Sequence, residues 1–69
     1  MNQFKRVKLN HANLNREISI VLGTIAAWHW SEASKSTHIY TTGGIFPAKE
    51  TPDQVDRIIE EATKGEPNG

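Results

Sequence analysis

The feature that most constrains this chain is its small size without covalent support: it has 69 residues and not one cysteine. A second domain would leave each half too small to bury a core, so we expect a single domain. Even one domain of this length hides only about 60% of the surface that its unfolded form exposes. Domains this small usually add a disulfide, a metal or a partner chain. Disulfides and thiolate zinc sites need cysteine, so both are excluded here. Self-association is then the leading way to bury further apolar surface, and we expect a homo-oligomer.

The clearest local pattern is an amphipathic helix over residues 52–64. Thr51 is its predicted N-cap, and Gln54 is the partner of Thr51 in a capping box. Apolar residues recur at i, i+3, i+4 and i+7 and form one face: Val55, Ile58, Ile59 and Ala62. Gly65 is expected to end the helix, so that the domain spans residues 1–65 and a tail of residues 66–69 follows.

Segments rich in β-branched and aromatic residues precede the helix and predict strands. The expected strands span residues 4–9, 16–22, 24–31, 36–42 and 45–48. A helix over residues 16–30 is the competing interpretation, because the apolar residues there also fit a 3.6-residue period, but Gly23 near its middle favours strands. The predicted fold class is therefore α+β: a small antiparallel sheet of about four to five strands with one C-terminal helix.

The connections between these strands carry turn-forming residues. Residues 10–15 form an asparagine-rich link, and residues 31–37 read as an exposed flexible loop. Gly43 and Gly44 predict a two-residue type I′ hairpin, because that turn needs positive φ at both central positions. Pro47 cannot donate to a ladder, so the last strand is expected to be short or to lie at a sheet edge.

Charged residues balance, with eight basic and eight acidic side chains, but they are unevenly distributed. Four basic residues precede the first acid, Glu17: Lys5, Arg6, Lys8 and Arg16. Six of the eight acids lie in the last third of the chain. This uneven distribution has three interpretations: ordinary solvation of two exposed surfaces, head-to-tail association of protomers, or a basic patch that binds a small anionic ligand. A nucleic-acid partner is disfavoured, because such proteins usually carry a net basic excess.

Targeting and membrane signals are not expected here. The opening residues 1–8 are not followed by the apolar stretch of a secretory signal. The most apolar run, residues 18–30, is too short and too polar to span a bilayer. We therefore expect a soluble cytoplasmic protein with no membrane partner.

Residues that could carry chemistry do not form a recognisable catalytic or metal motif. His11, His29 and His38 are separated by 18 and 9 residues, whereas zinc ligands usually come in pairs two to four residues apart. There is no G-x-S-x-G elbow, and the acid pair Glu60 and Glu61 is expected on an exposed helix face. We predict that the protein is not an enzyme and holds no metal or cofactor.

The aromatic motif Trp28-His29-Trp30 is the strongest candidate for a binding surface. Alternation places both indoles on one face of their strand, with Ile25 and His29 on the other. Three interpretations compete: a core packed on the helix, an interface between protomers, or a platform for a base with the basic residues holding phosphates. The candidate binding residues are Trp28, Trp30, Tyr40 beside them, His29, Arg6, Lys8 and Arg16.

Three motifs give the chain a resemblance to a known family. A strand ends at Leu9-Asn10, a hairpin follows at Thr41-Thr42-Gly43-Gly44, and residues 50–55 open a terminal helix. This layout resembles the small FlbD-like (SwrD) proteins found beside flagellar motor genes, and similar small β-sheet proteins occur in phage genomes. The resemblance implies the fold and no catalytic residue. The chain departs from the family where residues 10–15 replace a tight Asn-Gly turn.

These observations predict a non-enzymatic binding protein. The leading hypothesis is a phage-type small cytoplasmic protein that inhibits or sequesters a host component, in the manner of an anti-defence protein. Its aromatic residues would supply buried area, and its rim charges would set selectivity. The alternatives are a flagellar-motor accessory, as the resemblance implies, and a nucleic-acid-binding module.

Overall fold

A computed structural model describes residues 5–64 as five strands, a short 3-10 turn and a C-terminal helix. The elements are β1 Arg6–His11, β2 Arg16–Val21, the 3-10 turn Leu22–Thr24, β3 Ile25–Ser31, β4 Ser36–Thr41, β5 Gly44–Ala48 and α1 Pro52–Lys64. The predicted α+β class is confirmed, and the competing helix over residues 16–30 is wrong.

The five strands form one antiparallel sheet in the order β2-β1-β5-β4-β3. The first and last strands in this order, β2 and β3, are joined by three residues only. A flat sheet would hold them about 19 Å apart, but the four steps from Val21 to Ile25 reach at most about 14 Å. The sheet therefore curls into a partly open barrel. Two backbone bonds hold the closing turn, from Leu22 N–H to Lys5 O (2.7 Å) and from Thr42 N–H to Thr24 O (3.0 Å).

The core lies inside this curl. Its buried apolar side chains are Val7, Leu9, Ile20, Ile39, Ala48 and Val55. Partly buried side chains surround them: Ile18, Leu22, Ile25, Trp28, Phe46, Ile58, Ile59 and Ala62. Helix α1 contacts β1 and β3 with the predicted apolar face, which is confirmed.

The start of α1 has the predicted reciprocal cap. Thr51 N–H donates to Gln54 Oε1 (2.9 Å), and Gln54 N–H donates to Thr51 Oγ1 (3.2 Å). Two N–H groups at the helix start are thereby satisfied. The predicted helix end at Gly65 and the tail of residues 66–69 lie outside the described residues.

A bulge in β3 changes the predicted alternation. Ile25 pairs with Thr41 and Ala27 pairs with Tyr40, so Ala26 is an extra residue in the ladder. A β-bulge of this kind shifts the facing of side chains on one side of it. Ile25 consequently packs against the core, and its predicted position on the face of His29 is wrong.

The β4–β5 hairpin forms where it was predicted, but its turn is displaced by one residue. Thr41 pairs with Gly44, so the two turn residues are Thr42 and Gly43 rather than the two glycines. Thr41 Oγ1 accepts from Gly43 N–H (3.1 Å) and donates to Gly44 O (2.9 Å). Gly44 alone of the pair has positive φ, at +142°, which is backbone that favours glycine.

Pro47 lies in a short strand, as predicted, but that strand is central. β5 has five residues and lies between β1 and β4. The proline is tolerated because the ladder between β1 and β5 has a single registered pair, His11 and Ala48. Pro47 O still accepts from Ala12 N–H on that side (2.9 Å).

The loop after β3 is shorter than the predicted residues 31–37. Ser36 and Thr37 belong to β4 and are fully buried. Thr37 Oγ1 donates to Glu50 O (2.6 Å), and Ser36 Oγ hydrogen-bonds to Ser34 Oγ (2.7 Å). Small hydroxyl side chains can be buried when their polar atoms find partners. The predicted strand over residues 36–42 is therefore confirmed at its start, and the overlapping prediction of an exposed loop is wrong for Ser36 and Thr37.

Candidate functional site

Trp28 joins β3 to the helix. It pairs with Ile39 across the ladder, is partly buried and packs against the core. Its indole Nε1–H donates to Asp56 Oδ1 on α1 (2.7 Å). Of the three interpretations of the aromatic motif, this geometry favours core packing for Trp28, because both its apolar surface and its polar atom have partners within the domain.

Trp30 lies on the same face, opposite Thr37, and is also partly buried. Its Nε1–H donates to Glu32 Oε2 (2.9 Å). Each indole thus has a carboxylate beside it. A nucleic-acid phosphate near this face would meet two negative charges, which argues against the platform interpretation.

Tyr40 does not lie beside the indoles, and that prediction is wrong. Because Trp28 is opposite Ile39, the next residue of β4 must face the other side of the sheet. There the Tyr40 ring stacks on His29, with ring centroids 5.4 Å apart and an interplanar angle of 20°. The register between distant strands, which alternation within one strand does not reveal, decides this placement.

The imidazoles of His29 and His38 are neighbours on that outer face, with centroids 5.8 Å apart. His29 Nδ1 is 3.1 Å from Trp30 O and Nε2 is 2.8 Å from the Tyr40 hydroxyl. Because a carbonyl oxygen only accepts, Nδ1 donates to Trp30 O, and Nε2 forms a hydrogen bond with the Tyr40 hydroxyl. His11 is separate: its Nδ1 accepts from the Asn13 and Leu14 N–H groups, both at 3.1 Å.

One serine–histidine contact was missed by the sequence analysis. Ser34 Oγ is 3.1 Å from His38 Nε2 and 2.7 Å from Ser36 Oγ. A catalytic serine needs a base that a third group orients, and residues 5–64 show no side chain hydrogen-bonded to His38 Nδ1. Within the same residues, no group of three His, Cys, Asp or Glu side chains could share a metal ion.

The basic candidates lie away from the indoles. Arg6 and Lys8 are exposed on the outer face of β1, in register with Val21 and Ser19 of β2. Arg16 is exposed at the start of β2. None of the three forms an ion pair or a side-chain hydrogen bond within the described part of the chain. The structure therefore does not combine the predicted aromatic and basic residues into one site.

A cleft that the sequence analysis missed opens where the curled sheet fails to close. It has a volume of about 430 Å³. It is lined by β2, residues 18–21, and by the β4–β5 turn, residues 41–43, together with Thr24 and Phe46. The only local signal was a strand whose two faces both carry apolar residues, Ile18 and Ile20 on one and Val21 on the other.

Among residues 5–64, the backbone of β2 has no pairing strand along this cleft. The bond from Leu22 N–H to Lys5 O sets the ladder, in which alternate residues of an antiparallel strand bond to its neighbour. Ile20 and Ile18 therefore bond to β1, whereas Ser19 and Glu17 direct their N–H and C=O groups outward. In residues 5–64, no strand pairs with this edge.

Comparisons with known proteins do not add to these observations. Among the described residues, no helix is long and apolar enough to cross a membrane. No protein-family model matches the chain, and searches of curated proteins and of solved structures found no match.

Proposed function

We propose that this chain is a non-enzymatic binding protein that acts by occlusion, with the cleft beside β2 as its contact surface. The observation that carries the proposal is an apolar cleft of about 430 Å³ bounded by a strand edge that pairs with no other strand of residues 5–64. Ligand pockets commonly have volumes of about 300–1,000 Å³. The cleft therefore has room for several side chains of a partner.

The strand edge indicates a protein partner rather than a small molecule. Exposed edges are usually blocked by lysine, proline or a covering loop, because they pair readily with other chains. The middle of β2 is Ile18, Ser19 and Ile20, with neither lysine nor proline, and no loop within residues 5–64 covers it. A partner strand that adds to this edge would gain main-chain hydrogen bonds, and the cleft would select its side chains.

The indole face is a less suitable contact surface. Both indole N–H groups already have acceptors, and Trp28 packs against the core. Binding there would have to replace bonds that the fold uses. A partner that binds at the outer edge of β2 would not have to break these indole hydrogen bonds. Binding at the cleft therefore lowers the stability of the domain less.

The proposed setting is that of a small phage-type protein that sequesters a host component. A strand of the host protein that is captured in the cleft would be withheld from its normal partner, and no reaction is needed. We further propose a homo-oligomer, supported by the small core and by the exposed apolar residues Leu14 and Ile45, at 60% and 56% exposure. A sedimentation mass of one 7.7 kDa chain at micromolar concentration would contradict the oligomer.

The test of the binding site is a capture experiment with a blocked cleft. Thr42 is exposed at the cleft rim, and Thr42→Arg places a long charged side chain there. Ala33→Arg adds the same side chain to the exposed β3–β4 loop and serves as the matched control. Proteins retained from a bacterial lysate are quantified by mass spectrometry. We expect specific partners to be retained by the wild type and the control and depleted at least tenfold by Thr42→Arg; equal retention by all three contradicts the proposal.

A further inference from the structure

The charges around β2 specify what kind of segment the cleft accepts. Resting on the proposed function, we infer that the edge of β2 binds an extended segment of a partner protein in which apolar and acidic residues alternate. Three features lead to this: the outward backbone groups of β2, the apolar cleft on one side of the edge, and two cations on the other side, Arg6 and Lys8, that form no ion pair within residues 5–64.

The backbone groups define the register of the added strand. Glu17, Ser19 and Val21 direct their backbone groups away from β1, as the ladder requires. Val21 O already accepts from Thr24 Oγ1 (2.7 Å). The open positions are therefore centred on Ser19, where both N–H and C=O can pair with a partner strand.

The inner side of an added strand meets apolar surface. Side chains of Ile18 and Ile20 point into the curl, and both line the cleft together with Phe46. Because successive side chains of a strand alternate between faces, every second residue of the partner segment would enter the cleft. The residues that reach Ile18, Ile20 and Phe46 are expected to be apolar, since a polar group against those side chains would lose its water without gaining a partner.

The outer side meets positive charge. Ser19 lies beside Lys8 and Val21 beside Arg6, and neither cation has an ion-pair partner in residues 5–64. An added strand would lie two strand spacings, about 10 Å, from β1. The long side chains of Lys8 and Arg6 can cross the short Ser19 and Val21 to reach a carboxylate. A carboxylate beside Glu17 would be repelled, so the acids fall opposite Ser19 and Val21.

A phage-displayed library of random nine-residue segments tests this directly. The library is panned on the immobilised wild-type protein, on Thr42→Arg, on Lys8→Glu and on Lys64→Glu, which reverses a charge at the far end of α1. Circular dichroism verifies that each variant folds. We expect the wild type and Lys64→Glu to enrich segments with Asp or Glu at alternate positions between apolar residues, at least tenfold above the input library. We expect Lys8→Glu to lose that preference for acids and to favour Lys or Arg.

The outcomes separate this inference from the proposed function. Segments that bind the wild type, fail to bind Thr42→Arg and show no preference for acids would overturn the inference and leave the proposed function standing. No enrichment that depends on the cleft would overturn both.

Amide hydrogen exchange then locates the bound segment. The enriched peptide is expected to slow exchange at the Ser19 amide at least tenfold, because that N–H gains an acceptor. Protection limited to β3, the other edge strand, would contradict binding at β2.

Discussion

The two edge strands of the sheet, β2 and β3, differ in how much of their surface the domain itself uses. β3 carries the two tryptophans, and both indoles donate to carboxylates of the same chain. β2 carries no aromatic residue, yet its edge borders the open cleft. Residue types that are enriched at interfaces thus indicate an interface only when their polar atoms and apolar surface have no partner within the domain.

The cause of this difference is the position of the helix. α1 contacts β1 and β3, and the bond from Trp28 to Asp56 connects it to the β3 side. On the β2 side, the nearest cover is the β4–β5 turn, which leaves a gap of about 430 Å³. A single helix of 13 residues cannot cover both open sides of a curled five-stranded sheet. Among residues 5–64, the outer edge of β2 is consequently left without a covering element.

The largest expected effect comes from proline in β2. Ile20→Pro removes an N–H that bonds to β1 and a buried side chain, so we expect a loss of about 5 kcal/mol in unfolding free energy. Ser19→Pro removes only an outward N–H, and we expect a loss of about 1 kcal/mol together with loss of partner binding. Urea denaturation measures both. Equal destabilisation by the two variants would mean that the edge of β2 is not open.

The next effect concerns the two tryptophans. Trp28→Ala removes apolar contacts with the core and the bond to Asp56, and we expect it to lower the unfolding free energy by about 3 kcal/mol. Trp30→Ala, outside the core cluster, is expected to cost about 1 kcal/mol. Thermal and urea unfolding compare them. A Trp30→Ala effect as large as that of Trp28→Ala would show that both indoles support the fold.

Glycine substitutions in the β4–β5 turn, which lines the cleft together with β2, are expected to have a smaller effect on stability. Gly44→Ala forces a Cβ onto backbone with φ of +142°, and we expect a cost of about 2 kcal/mol. Gly43→Ala meets only Thr41 Oγ1, 3.8 Å from the added Cβ, and is expected to cost under about 0.5 kcal/mol. The predicted type I′ turn would instead make both changes costly. The pair therefore distinguishes the two turn geometries in a denaturation series.

The smallest expected effect is that of the helix carboxylate. Asp56→Ala removes the acceptor of the Trp28 indole, and we expect a loss of about 1 kcal/mol in stability. Glu61→Ala, at an exposed position of the same helix, is the matched control and is expected to change stability by less than about 0.5 kcal/mol. Intrinsic fluorescence should also shift in Asp56→Ala only. Identical behaviour of the two variants would show that the hydrogen bond between Trp28 and Asp56 does not stabilise the domain.

Some features of the site were accessible from the sequence and others were not. The predicted apolar face of α1 and its cap are confirmed, and the tryptophans do share a face. The placement of Tyr40 failed because it depends on the register of β3 against β4. The prediction of which face carries Ile25 failed because Ala26 is an extra residue in the pairing of β3 with β4. Such a bulge depends on both strands and cannot be recognised from the sequence of one strand.

The sequence by itself determined the helix over residues 52–64 and the α+β class, and it favoured four to five strands over a helix at residues 16–30. Caps, periodicity and turn residues involve neighbours within about four positions, so they can be read along the chain. Only the tertiary structure decided which strands are edges, how far the sheet curls, and that β2 borders a cleft. Those features come from pairing between distant residues, such as Thr37 with Ala48 and the Thr42 N–H with Thr24. Pairing of that kind is set by the packing of the whole domain, because many local sequences are compatible with each strand position.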